Sequence, residues 1–314
     1  MSAVNRLSLV EQSQHNESAD EVKATLHGLI ESQEIKLRDI QKFTGFSTAT
    51  LSQALSGNYE GDVEKLEDAL LRYYRNWIAN NAIVETSVVK NIHATMMLAW
   101  KRFSICRITG KFGAGKSKAA SRFVVTHSEF SVYVELTSTT SPSSLINRVA
   151  EALNIESQMS GSQDDRLFAI IRALQRKPRL LVIDEADNLK PRTLAILKDI
   201  HGGDATQRCA IVLIGTDRLK KVLLDPELGY LQSRIQIKQQ VGDIAFDEAK
   251  KIADMWPHKL DRDELKEVWA WALKAHGIRS LVALMARSYD AMQMSDKKKI
   301  DSDALEQGYG WLTD

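Results

Sequence analysis

A short apolar run, Ser104-Ile-Cys-Arg-Ile-Thr, passes without a break into Gly110-Lys-Phe-Gly-Ala-Gly-Lys-Ser117. The second stretch matches the pattern GxxxxGK[ST], and it sits between a strand pattern and a helix pattern, which is the context in which that pattern cradles phosphate. The spacing has a chemical reason. Gly110, Gly113 and Gly115 let the backbone wrap closely and aim its N–H groups at phosphate oxygens, at the start of the following helix. Lys116 is placed to reach the β- and γ-phosphates, and the Ser117 hydroxyl to hold Mg²⁺. Ala114 between two glycines and Lys118 in the first helical turn complete the stretch expected to line ATP.

A second signal follows about 70 residues later. Leu180-Leu-Val-Ile-Asp184-Glu185 is an apolar strand that delivers two carboxylates at its C-terminal tip, where open α/β sheets bind their ligands. Asp184 is expected to act at Mg²⁺, directly or through water. Glu185, pointing the other way, is expected to orient or deprotonate an attacking water. The string Asp184-Glu-Ala-Asp187 also spells the hallmark of DEAD-box helicases. The chain is short for two such lobes, however, and the motifs of a second lobe are absent.

Around these motifs the chain alternates between strand and helix patterns. Apolar runs at Ser104–Thr109, Phe130–Leu136, Leu180–Asp184, Ala210–Gly215 and Ile235–Ile237 are separated by helical segments. Strands this continuously apolar are covered on both faces, so the expected fold is α/β with a parallel sheet. In 314 residues there is room for such a core and smaller flanking units. Hydrophobic content of 44% and charged content of 26% fit an ordinary globular chain. The net charge of +1 means that any contact with nucleic acid must come from a local patch. No apolar run is long enough to span a membrane and no secretory signal pattern opens the chain, so a cytoplasmic protein is expected. Cys106 and Cys209 both fall in strand runs and read as small buried hydrophobes.

The flanks read differently. Residues 1–20 are polar and aperiodic and are expected to be frayed or disordered. Over residues 21–80 the pattern is helical. Lys36–Thr44, a turn at Gly45-Phe46 and a second helix capped by Ser47 have the rhythm of a helix-turn-helix. Were this second helix to enter a major groove, Ser47, Thr48, Thr50 and Gln53 would face the bases, with Ala49, Leu51 and Leu55 inward. A helical module for protein contacts is the alternative, and the slight excess of carboxylates in the stretch favours it. The core is expected over residues 81–240. From 241 to 314 only helical patterns remain, over Ala245–Met255, Asp263–Ala275, Ile278–Met292 and Asp301–Leu312, and a helical lid or C-terminal domain is expected.

Taken together, the motifs resemble an AAA+ ATPase core. That resemblance gives Thr216, at the tip of Ala210–Gly215, the role of contacting the γ-phosphate or the attacking water. It gives Arg234 of Ser233-Arg234 the role of an arginine finger reaching a neighbouring subunit, with Arg218 as the rival. It also gives Arg279 of Gly277-Ile-Arg279 a place over the nucleotide. The order of parts resembles more closely the phage Mu B transposition protein family, to which TnsC and TniB are related. The stretches that carry this are Val84-Glu-Thr-Ser-Val-Val-Lys, Gly110–Ser117, Leu180–Leu189 and Gln232-Ser-Arg-Ile. Such proteins assemble with ATP as homo-oligomeric filaments on double-stranded DNA, with little sequence preference, and recruit a cognate transposase, which stimulates hydrolysis. The chain departs from that pattern at Thr216, where an amide is expected, at Asn188, in place of a histidine, and in the acidic balance of residues 241–314.

For DNA on the core, the resemblance points to the helix before the acidic strand, which carries Arg166, Arg172, Arg176 and Lys177, the first three roughly on one face. Phosphate contacts from such a helix give salt-dependent, sequence-tolerant affinity. Lys111 is a weaker candidate. Three other readings stand beside a DNA-stimulated ATPase: a nucleotide-gated adaptor with negligible turnover, a helicase loader of the DnaC or IstB kind, and a site-specific transcription regulator.

Overall fold

The five apolar runs are five parallel strands of one sheet: β1 (Ile105–Gly110), β2 (Ser131–Glu135), β3 (Arg179–Asp184), β4 (Cys209–Gly215) and β5 (Ile235–Val241), in the order β2-β3-β4-β1-β5. Every residue of the central strand β4 is buried, because strands flank it on both sides and helices cover both its faces. At the edge, β5 alternates buried Ile235 and Val241 with exposed Gln236, Lys238 and Gln240. That alternation explains why the apolar pattern stops at Ile237 while the strand runs to Val241: an edge strand needs fewer apolar residues than a central one. Cys106 and Cys209 are free and buried, and burial pushes the Cys106 thiol up to about 12.

The computed structural model describes residues 19–31, 35–81, 84–202 and 209–313. The disorder expected for residues 1–20 falls almost wholly outside them. Among the described residues, no helix is long and apolar enough to cross a membrane. The chain divides into two units. One consists of residues 84–249 with 266–281, the other of 19–81 with 250–265 and 282–313.

In the sheet unit, α5 (Ser87–Arg102) starts at a Thr86 cap and packs on the sheet and on α6 (Lys116–Thr126), the helix that follows the phosphate loop. His93 of α5 is bonded to the Ala119 carbonyl of α6 at 2.9 Å, and Trp100 stacks on Phe130 at 4.7 Å. The other face of the sheet is covered by α7 (Pro142–Ala152), α8 (Gln163–Arg176) and α9 (Pro191–His201). Their Leu145, Ile146, Ile170, Leu174, Leu194 and Leu197 join Leu181, Ile183, Ile211 and Leu213 in one core. Residues 266–281 belong to the same unit. The Trp269 indole of α13 (Arg262–Lys274) donates to the Ile244 carbonyl at 3.1 Å, and Phe246, the first residue of α12 (Phe246–Ala253), meets its ring edge-on.

In the other unit, α1 (Ala19–Glu31), α2 (Leu37–Thr44), α3 (Thr48–Leu55) and α4 (Val63–Asn81) close around Val22, Leu26, Ile40, Leu51, Leu66 and Leu70. Between α2 and α3, Gly45 takes φ +77°, and its N–H bonds the Gln41 carbonyl at 2.8 Å; Ser47 then accepts from Thr50 N. One sequence expectation is corrected here. Ala49 is exposed, and Ala54 packs inward with Leu51. Counted at about 100° per residue from Leu51, Ala54 lies 60° away and Ala49 160° away, so α3 turns Ala49 to the solvent. In the C-terminal stretches, Ile300 N bonds Pro257 O at 2.8 Å, Lys259 N bonds Ile300 O at 2.9 Å, and a β-carbon on Gly308 would come within 2.5 Å of Ser288 Oγ.

Candidate nucleotide site

Parallel strands in register deliver their C-terminal tips to one edge of the sheet. Thr109 is paired with Gly215, and Glu135 with Asp184. Because β4 separates β1 from β3, the phosphate loop and the acidic tip stand roughly 10 Å apart, two strand spacings, with the end of β4 between them.

Three glycines make the loop possible. A β-carbon on Gly110 would lie 2.8 Å from the Val241 carbonyl, so β5 can pair beside it only because that atom is missing. Gly113 and Gly115 take φ of +78° and +84°, conformations that side chains strain. Ala114 is buried inside the turn. α6 begins at Lys116 with no side chain capping its N-terminus, so its first N–H groups face the loop.

Lys116 is 8% exposed and donates to Gly110 O at 2.9 Å and Lys111 O at 2.8 Å. These are neutral partners for a buried cation. Desolvation pulls its pKa down, and the fields of Asp184, Asp187, Glu185 and Asp217 work against that fall. An ammonium with one donor left, an uncapped helix N-terminus and a glycine cradle form a donor set that fits a polyphosphate. Lys111 itself pairs with Asp243 at 2.8 Å. Ser117 and Lys118 are exposed on the first turn of α6.

On the acidic side, Asp184 is 3% exposed. Its Oδ1 accepts from Glu185 N at 2.8 Å, and its Oδ2 accepts from the Tyr133 hydroxyl. Burial and the Asp184 charge hold the Tyr133 phenol far above its ordinary range, and a hydrogen bond with Ser117 acts the other way. Tyr133 thus links the two residues expected to hold Mg²⁺, a hard cation that takes such oxygen ligands. Glu185 takes φ +55°, a left-handed backbone uncommon for a side chain of its size. Burial, then Asp184 and Asp187, raise its pKa, opposed by Lys116 and Arg279. A carboxyl made more basic in this way is suited to accept a proton.

Thr216 stands at the tip of β4. Its N–H and its hydroxyl both donate to Asp187 Oδ2, at 3.2 and 2.5 Å, and its Oγ1 accepts from Arg218 N at the start of α10 (Asp217–Val222). Since a hydroxyl has a single proton, Thr216 in this arrangement meets a further group only as an acceptor. At the far side of the loop, the start of α14 (Ile278–Met294) is bonded to the phosphate loop itself. Arg279 N donates to Gly113 O at 3.1 Å, and the guanidinium carbon lies 4.1 Å above the Phe112 ring.

A family model for an AAA domain matches residues 101–223, the stretch that holds the phosphate loop, the acidic tip and Thr216. Across 250 residues the chain is 29% identical to the ATP-dependent target DNA activator B of Escherichia phage Mu, covering 75% of this chain and 78% of that one. It is 24% identical over 266 residues to the Mu-like prophage FluMu DNA transposition protein B of Haemophilus influenzae, covering 81% and 91% of the two chains. Over three quarters of its length, this chain is similar to the Mu B transposition proteins. Solved structures share its fold as well. Cdc6p of Pyrobaculum aerophilum has a TM-score of 0.58 at 18% identity, over 71% of this chain and 65% of that one. Aeropyrum pernix ORC1, solved in complex with DNA, has 0.58 at 16%, over 76% and 69%. The AAA+ core of this chain is therefore shown by sequence and by fold.

The remaining expected residues of this chain lie away from the loop. Arg234 ends α11 (Gly229–Arg234) just before Ile235, which pairs with Ile105 at the start of β1. A whole strand separates it from the loop of its own chain, roughly 20 Å at about 3.3 Å per residue. Arg218, by contrast, opens onto a groove beside Asp187 that also carries Asn188, Lys190 and Lys221. On α8, Arg172 and Arg176 are exposed, as is Lys177 just past its end. Arg166 differs from them. Its guanidinium donates to Asn147 Oδ1 and Ser143 Oγ of α7, both at 2.9 Å. In the other unit, Ser47 and Thr50 share a hydrogen bond at 2.9 Å within the α3 cap, Thr48 is half-buried and Gln53 is exposed.

Sequence reasoning passed over Tyr133, Asp187 and Phe112. For Asp187 a signal existed, since it is the fourth residue of the Asp-Glu-Ala-Asp string. For Tyr133 the signal was a tyrosine between two strand valines, Val132 and Val134.

Proposed function

We propose that this chain is an ATP-hydrolysing, ATP-dependent target DNA activator in DNA transposition. ATP-loaded copies assemble on double-stranded DNA with little sequence preference and offer it to a cognate transposase, in the cytoplasm of a bacterial cell. The observation that carries the reading is the buried Lys116 ammonium, held by loop carbonyls within the fields of Asp184, Glu185 and Asp187. The Mu relative is named an ATP-dependent target DNA activator and the Haemophilus relative a DNA transposition protein. The Aeropyrum neighbour was solved on DNA.

ATP supplies the phosphoryl group, and Mg²⁺ supplies positive charge to its oxygens. Each residue then has a task. The loop N–H groups from Gly110 to Ser117, with Lys118, bind the phosphates, and Lys116 neutralises them. Ser117 and Asp184 would hold Mg²⁺, with Tyr133 fixing one Asp184 oxygen. Glu185 takes the proton of the attacking water. Thr216 accepts a hydrogen bond from that water while Asp187 holds its hydroxyl in place. Arg279 covers the nucleotide. Arg234, too far from its own loop, acts on a neighbouring copy, so turnover requires an assembly. Arg172, Arg176 and Lys177 follow the DNA backbone.

The test is ATP hydrolysis by the purified chain with and without non-specific double-stranded DNA, together with imaging in a non-hydrolysable ATP analogue. DNA-stimulated turnover and ATP-dependent filaments, both lost in Lys116→Ala, are expected. Turnover indifferent to DNA, with no assembly on it, would overturn the proposal and leave a loader or adaptor that works through proteins.

A further inference from the structure

Phe112 is the one large apolar side chain of the phosphate loop, and it is 50% exposed. It gains little by burial there, so its place calls for another reason. Two groups from residues 276–279 meet its ring. The Arg279 guanidinium carbon lies 4.1 Å from the ring centre, and His276 stands edge-on at 5.8 Å with an interplanar angle of 86°. Beneath them the backbones interlock. Arg279 N bonds Gly113 O at 3.1 Å, a β-carbon on Gly113 would lie 1.9 Å from His276 O, and one on Gly115 would lie 3.3 Å from Ile278 Cδ1. The loop and the start of α14 thus meet at two levels, a backbone bond and a cation over an aromatic face.

From this geometry we infer that Phe112 is a positioning residue for Arg279: its ring holds the guanidinium over the phosphate loop and so sets how tightly the chain holds nucleotide. The inference rests on the ATP reading above. An arginine side chain has four rotatable bonds, and left in solvent it loses that freedom when it closes on an anion. A ring face favours the guanidinium electrostatically and leaves its in-plane N–H donors directed outward. Phe112 therefore meets part of the ordering cost before a phosphate arrives. Only an aromatic ring provides this. An aliphatic side chain of similar bulk would keep the backbone interlock and lose the cation's seat.

The experiment measures affinity for a non-hydrolysable ATP analogue by calorimetry in the wild-type chain, Phe112→Leu, Phe112→Tyr, Arg279→Ala and the double variant Phe112→Leu/Arg279→Ala. Hydrogen exchange at the Arg279 amide is followed in parallel. Phe112→Leu is expected to weaken binding on the order of two- to fivefold, the range of an exposed cation–π contact. Phe112→Tyr should bind as the wild type does, and Phe112→Leu should add no loss once Arg279 is alanine. The Arg279 amide should stay protected in Phe112→Leu, because its bond to Gly113 does not involve the ring. Wild-type affinity in Phe112→Leu, an equal loss in both backgrounds, or an unprotected Arg279 amide would overturn the inference. A wild-type chain that binds no analogue at all would overturn the ATP reading itself, a separate failure.

Discussion

The hydroxyl of Thr216 and the carboxylate of Asp187, 29 residues apart in sequence, share a hydrogen bond at the tips of β4 and β3. The same Asp187 oxygen also accepts the Thr216 N–H, while its other oxygen, buried and without a hydrogen-bond partner, lies against Gly215. A β-carbon on Gly215 would come within 2.8 Å of that oxygen, so the pair depends on the glycine. Removing the carboxylate leaves two partly buried donors unmatched. Asp187→Ala is expected to cost about 1–3 kcal/mol in urea unfolding. Thr216→Val should lose both this bond and the cap on Arg218 N, about 0.5–2 kcal/mol, with Thr216→Ser recovering most of it. An Asp187→Ala chain as stable as the wild type would show that the pair does not hold the two tips together.

Glu185 gives a pH-dependent expectation whose sign is opposite to that of an ion-paired carboxylate. Burial and the neighbouring carboxylates raise its pKa in the folded chain. Between the ordinary glutamate value and that raised value, the folded state binds more proton than the unfolded state. Its stability contribution therefore falls as pH rises through the window. Glu185→Gln should flatten that part of the stability–pH curve and abolish ATP turnover. Glu185→Gly should also relieve the φ of +55° and raise stability by about 1 kcal/mol. A wild-type curve that rises through the window would contradict this account of the site.

Gly113→Ala tests the backbone interlock apart from any side chain. The new β-carbon would stand 1.9 Å from His276 O on a backbone at φ +78°. The strain at such a position is on the order of 1–3 kcal/mol. The chain can shed the clash by releasing residues 276–279, so faster hydrogen exchange at the Arg279 amide is expected together with weaker binding of an ATP analogue. Unchanged exchange at Arg279 would mean that the loop absorbs the methyl group without moving the turn.

Much of the sheet was legible because each central strand has to be apolar on both faces, which singles it out in the sequence. The end of β5 was not legible. Lys238-Gln239-Gln240 satisfies an edge strand, and an edge strand resembles a polar loop. The phosphate loop and Asp184-Glu185 were legible because their chemistry is local, held within a few residues by the backbone. Tyr133 reaches Asp184 across 51 residues through the register of β2 on β3, and Phe112 reaches Arg279 through a turn some 160 residues away. Contacts of that kind follow from topology, which local periodicity does not encode.

The basic face of α8 offers a test in which stability and DNA affinity should part. Arg166 is committed to Asn147 and Ser143 and pins α8 to α7, whereas Arg172 and Arg176 are exposed. Arg166→Ala is expected to lower the unfolding midpoint, since it leaves two α7 side chains without their partner. Arg172→Ala and Arg176→Ala, on the exposed face, should leave that midpoint unchanged. If these two contact phosphates, each substitution should also reduce the slope of log K against log salt by about 0.9, the counterion release of one contact. The measurement is a salt series of double-stranded DNA binding in the presence of an ATP analogue, with thermal unfolding of the same samples. Equal slopes for the wild-type, Arg172→Ala and Arg176→Ala chains would move the DNA off this helix face. The exposed Gln53 on α3 would then be the next position to substitute, with loss of preference for one sequence over another as the sign of a base contact.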